Sequence, residues 1–149
     1  MAGDATDLII DINGIFAAPG GTGGLRFYVV TPCRVADTRA GQGFTGAFGP
    51  PSLAMDTTRN FPIQASPCGI PATALAYALN MTAVPQGPLG FLSTWPTGEP
   101  YPGVSTLNSS NGGIIANAAI VPTGTGGAIT VVAGNPTDLI IDIVGYFAP

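Results

Sequence analysis

Asp138 and Asp142 stand four residues apart in Thr137-Asp138-Leu139-Ile140-Ile141-Asp142-Ile143. Two carboxylates hydrolyse glycosidic bonds when they face each other across about 5–9.5 Å. On one face of an extended strand these two lie roughly 13 Å apart. Only a neighbouring strand bringing Asp7 or Asp11 alongside would make a pair. Glu99 sits in the turn Pro96-Thr97-Gly98-Glu99-Pro100, where a solvated acid is expected. Calcium would need clustered oxygen ligands, and no D-x-D-x-D-G loop occurs. The chain has no His, so it lacks the commonest general base and the commonest zinc ligand. It also has no Lys for Schiff-base chemistry and no G-x-S-x-G elbow. These residues predict no catalytic group, no metal and no cofactor, and therefore no enzyme.

Three smaller groups remain. Arg34, Asp37 and Arg39 form a charged cluster, expected to tie a strand end to a neighbouring loop. Trp95, the sole tryptophan, precedes Pro96. With Tyr101 it could stack on a sugar, although a tryptophan that anchors a loop is the plainer expectation. Cys33 and Cys68 each follow a proline, and two cysteines allow one intrachain pairing. A bridge would close a loop of about 35 residues and contribute roughly 3–4 kcal/mol in the chain-entropy model. Two buried free thiols are the alternative.

Composition narrows the classes further. Of 149 residues, 8% are charged and 46% hydrophobic, with Gly 22 and Pro 15. Disordered chains show the reverse balance of charge and hydrophobicity. A net charge of −4 with four Arg supplies no basic surface for nucleic acid. No apolar run approaches the roughly 20 residues needed for a spanning helix. Met1 to Asp4 show neither the basic nor the apolar stretch of a secretory leader, so export would need a leader outside this sequence.

The elements that carry the acids hold an internal repeat. Thr6-Asp7-Leu8-Ile9-Ile10-Asp11-Ile12-Asn13-Gly14-Ile15-Phe16-Ala17 returns 131 positions later as Thr137 to Ala148, differing only at Asn13/Val144 and Ile15/Tyr146. Gly3 and Gly134 also align. Such a match predicts a tandem array with a period near 131 residues. Residues 1–19 are then the duplicated terminal strand of a preceding repeat, 20–24 a Gly-rich linker and 25–149 the repeat proper. Both copies read as strands, with Leu8, Ile10 and Ile12 on one face and Asp7, Ile9 and Asp11 on the other. Apolar residues on both faces predict a strand well inside a sheet or covered on both sides. The Asn13-Gly14 position allows a bulge before the aromatic end.

Further strands are predicted at 25–30, 34–38, 57–63, 74–84, 90–95, 104–108, 114–121 and 128–132. Turn clusters such as Pro85-Gln86-Gly87-Pro88 separate them. The expected fold is all-β, an antiparallel sandwich or barrel, jelly-roll-like, with about 9–10 strands. In 74–84, Leu75, Tyr77, Leu79 and Met81 share one face. The opposite face is small and flat (Ala74, Ala76, Ala78, Asn80, Thr82), suited to close packing or to a subunit contact. Residues 42–55 read as a long ordered loop anchored by Phe44 and Phe48.

Several short motifs occur together. They are Thr31-Pro32-Cys33-Arg34-Val35-Ala36-Asp37-Thr38-Arg39, Leu79-Asn80-Met81-Thr82, Gly90-Phe91-Leu92-Ser93-Thr94-Trp95-Pro96-Thr97-Gly98, Ala116-Asn117-Ala118-Ala119-Ile120-Val121-Pro122 and the closing Asp138 to Phe147. Over residues 25–149 this combination resembles a secreted bacterial tandem β-repeat surface module. The resemblance implies an extracellular or cell-surface location and a structural or adhesive role, and it brings no catalytic residues. The leading expectation is a module that associates with itself through a donated or shared N-terminal strand. Leu8, Ile9, Ile10, Ile12, Ile15 and Phe16 would serve as donor, and Leu139, Ile141 and Ile143 as the equivalent set in the C-terminal copy. An inert spacer and a carbohydrate-binding module built on Trp95 and Tyr101 are the alternatives.

Overall fold

The computed structural model describes residues 10, 12, 14–18 and 23–149. Eight strands follow one another: β1 (Arg26–Asp37), β2 (Arg59–Phe61), β3 (Ala76–Pro85), β4 (Leu89–Pro96), β5 (Leu107–Ser109), β6 (Ile115–Pro122), β7 (Ile129–Ala133) and β8 (Thr137–Ala148). They form two four-stranded antiparallel sheets, β1-β8-β3-β6 and β2-β7-β4-β5. The first strand pairs with the last, β2 with β7, β3 with β6 and β4 with β5. A long ribbon of paired strands thus wraps into two facing sheets, which is a jelly-roll sandwich.

Alternation puts the core between the sheets. From β3, Tyr77, Leu79, Met81 and Ala83 point inward; from β8, Leu139, Ile141 and Ile143. Phe61, Leu89, Leu92, Ile129 and Val131 close the core from the other sheet. Each fully buried large aliphatic side chain contributes about 1.5–3 kcal/mol. Leu75 departs from the expected face and is exposed, because β3 begins one residue later at Ala76.

The predicted strands at 25–30 and 34–38 are one strand, β1. Its register against β8 shifts between Val29 and Cys33 and again between Arg34 and Ala36. The first shift spans Pro32, which has no N–H for the ladder, so the sequence breaks where the strand only bulges. β8 carries its own irregularity: Ala78 pairs with Gly145 and Leu79 with Ile143, leaving Val144 as the extra residue. This is the bulge expected before the aromatic end. The strands predicted at 57–63 and 104–108 form only over three residues each, as β2 and β5.

The loop at 38–58 is ordered by side-chain chemistry. The Arg59 guanidinium donates to the carbonyls of Gly46, Ala47, Gly49 and Pro51 and lies 5.0 Å from the Phe61 ring centroid. Phe48 packs against the core and Phe44 is half-buried. Leu53 and Met55 then bridge to Thr137 and Ala133.

Cys33 and Cys68 form a disulfide with Cα atoms 5.8 Å apart, joining β1 to the loop before β3. Replacing both cysteines by alanine should lower unfolding stability by about 3–4 kcal/mol, read as an earlier denaturation midpoint at unchanged slope. An unchanged midpoint would show that the bridge adds nothing.

Candidate functional site

The chemistry-bearing residues converge on β8. Arg34 donates from Nε to Asp142 Oδ1 at 2.9 Å and from Nη2 to Oδ2 at 3.3 Å. From Nη1 it reaches Asp37 at 3.4 Å. Arg39 donates from Nε and Nη2 to the two oxygens of Asp37 at 2.9 and 2.7 Å. Asp37 is fully buried, so its charge needs these partners. Thr38 donates to Asp138 at 3.0 Å and accepts from the Leu139 N–H at 2.8 Å, while Ser52 donates to Asp138 at 2.7 Å. The segment from Arg34 to Arg39 is therefore a clasp that locks β1 and the following loop onto β8.

Both β8 carboxylates are committed to this clasp. Asp142 accepts from the Arg34 guanidinium and Asp138 from the hydroxyls of Thr38 and Ser52. Among the described residues no group of three or more His, Cys, Asp or Glu side chains converges. Hydrogen bonding from Arg39 holds the Asp37 carboxyl below the usual aspartate range, against the opposing effect of burial. The bond to Asp142 raises Arg34, and the bond to Asp37 raises Arg39. Burial without a carboxylate partner lowers Arg59.

The predicted sugar platform is mostly internal. Trp95 is 7% exposed, its indole N–H donates to the Glu99 carbonyl at 2.9 Å, and the Tyr101 ring meets it edge-on at 5.4 Å. Tyr101 alone is open, at 51% exposure. A shallow groove of about 400 Å³ lies beside the long loop, lined by Ala47, Pro51, Leu53, Thr57 and Arg59 among others. The Arg59 hydrogen bonds to loop carbonyls make it a structural staple there.

At the aromatic end of β8, Phe27 packs on Phe147 with centroids 5.0 Å apart and Tyr28 stacks on Tyr146 at 5.3 Å. A Cβ on Gly145 would collide with the Phe27 ring and sit 2.7 Å from the Tyr28 carbonyl oxygen, so only glycine fits. Leu139, Ile141 and Ile143 are fully buried, as their pattern predicts. In the N-terminal copy, Leu8 and Ile9 lie outside the described residues. Ile10, Ile12, Ile15 and Phe16 are in no strand and are 75%, 83%, 88% and 84% exposed. Phe16 approaches Phe147 at 6.2 Å.

Sequence reasoning missed the roles of Asp138, Asp142 and Gly145 as fittings of the β8 site. The signal was present: the repeat keeps them as Asp7, Asp11 and Gly14.

The depressed Asp37 carboxyl contributes stability above its unfolded value of about 3.9. That contribution is lost as the pH falls through the lower folded value. With no His, no side chain has an ordinary value between about pH 5 and 8. The denaturation midpoint should stay flat across that window and fall below about pH 4. Asp37→Asn should cost about 2 kcal/mol at neutral pH and flatten the acid limb. An acid limb of unaltered depth in this variant would remove Asp37 as its source.

No family model, no curated protein and no solved structure matches this chain.

Proposed function

We propose that this chain is an extracellular structural module that associates with itself through its N-terminal copy of β8. The observation that carries the reading is a surplus copy of the β8 sequence. The place between β1 and β3 is filled by residues 137–148, yet residues 6–17 repeat that strand with two differences. A chain with two copies of a strand and one place for it must dock the second elsewhere.

The copy keeps what a sheet position demands. A Cβ on Gly14 would meet nothing within 4 Å, so its present surroundings do not call for glycine, whereas those of its counterpart Gly145 do. Ile10 and Ile12 are largely exposed where Ile141 and Ile143 are buried. Covering such side chains is favourable by about 25 cal/mol per Å² of apolar surface. The sparse charge opposes association little. The disulfide suits an oxidising compartment, and among the described residues no helix is long and apolar enough to cross a membrane. The likeness to secreted tandem β-repeat modules agrees with this reading.

A donated strand and its acceptor are different surfaces of one chain, so repeated docking runs head to tail and closes only if the rotation permits. Every described strand of the sandwich lies within residues 26–148. Removing residues 1–19 should therefore leave the fold and the disulfide intact and abolish assemblies. Light-scattering mass across a concentration series, with negative-stain electron microscopy, reads the difference. A full-length chain that is monomeric throughout would make it a spacer instead.

A further inference from the structure

We infer that the acceptor for this donated strand is the free edge of β1 over Arg26–Val30 in a second copy of the chain; the inference rests on the self-association proposed above. Replacement of β8 gives no net burial, because each incoming copy expels a strand of nearly the same sequence. Addition at an edge buries the donor without exposing anything, so an edge is favoured.

Among the described residues four edges are available, and three are poor acceptors. β2 and β5 form over three residues each, too short to template a long strand. β6 is longer, but its first half presents Ala116, Asn117 and Ala118, and the Asn117 amide donates across to the Thr106 carbonyl at 2.7 Å. That bond ties the β6 edge to the chain leading into the other sheet.

The first half of β1 differs on each count. It pairs with β8 on one side and, among the described residues, with no strand on the other. Its far end, Val35 to Asp37, is buried where the clasp closes, and Cys33 is held by the disulfide, but Arg26 to Val29 are exposed. Phe27, Tyr28 and Val29 are large and apolar there, with Val29 78% exposed and Val144 of the β8 bulge also open. An apolar open edge is a template for another strand. Charge agrees as well. Among the described residues Arg26 makes no ion pair, and the donor segment carries Asp4, Asp7 and Asp11 with no basic residue.

Full-length variants test the edge separately from the donor. Arg26→Asp with Val29→Asp blocks the acceptor, and Ile10→Ser with Ile12→Ser blocks the donor. All four side chains are exposed, and the Cys33–Cys68 bridge and circular dichroism check the fold. Each variant alone should be monomeric where the unaltered chain assembles, with apparent affinity weakened at least about tenfold. Mixed together they should form one-to-one dimers and nothing longer, because each dimer uses the one intact donor and the one intact edge. If the acceptor variant assembles like the unaltered chain while the donor variant does not, the strand docks elsewhere and the β1 edge is overturned, although self-association stands. If the donor variant still assembles, or the unaltered chain never does, both fail. Hydrogen exchange on the unaltered chain gives a readout free of substitutions. Amides of residues 26–30 should gain protection on assembly, and unchanged exchange there overturns the proposal.

Discussion

The sandwich depends on the pairing of its first strand with its last. β8 stands between β1 and β3 and supplies Leu139, Ile141 and Ile143 to the core. Without it, β1 would have no partner and the sheet would be cut in two. Contacts of this kind join residues more than a hundred positions apart, as Arg26 and Ala148 do. Such closure is entropically costly. The clasp from Arg34 to Arg39 answers that cost locally. It uses two of the four Arg and three of the Asp residues at one seam, while the disulfide ties the same strand to the loop before β3.

Concentrating charge at this seam leaves the rest of the surface nearly neutral. Arg59 is also turned inward, onto loop carbonyls. The chain therefore holds together with few ions and presents little long-range repulsion to a second molecule. The three Asp residues before residue 19 account for most of the net charge of −4. Residues 1–18 are acidic and apolar, while the rest of the chain is close to neutral.

Much of this was legible in the sequence. Period-two patterning with Gly and Pro punctuation indicated an all-β sandwich or barrel of about 9–10 strands, of which the described residues form a sandwich of eight, and the two-sided apolar pattern of residues 137–148 suited a strand inside a sheet or covered on both sides. Two cysteines allowed one pairing with free thiols as the alternative, and the structure has the bridge. What escaped the sequence was geometry between distant segments. Pro32 reads as a strand break, yet β1 continues through a bulge because β8 holds it on both sides of the irregularity. Trp95 reads as an anchor before it reads as a platform, but which groups it meets, the Glu99 carbonyl and Tyr101, is visible only in the structure. The spacing of Asp138 and Asp142 argues against a catalytic pair, but it does not reveal their partners, which lie about a hundred residues away.

The jelly-roll order also bears on how modules follow one another. Arg26 and Ala148 are register partners, so the point where the chain enters the sandwich lies beside the point where it leaves. A strand from a preceding module or a separate subunit, as proposed, would reach this corner, where Phe27 packs on Phe147. A covalent array and a head-to-tail assembly of separate chains would then share one junction, differing in whether residues 6–17 complete the module before or extend the sheet of a neighbour. Edge addition adds buried surface to a sandwich that is already complete, whereas completion of an unfinished module supplies its core. The second would be the tighter interaction, because it covers core residues such as Leu139, Ile141 and Ile143 as well as an edge.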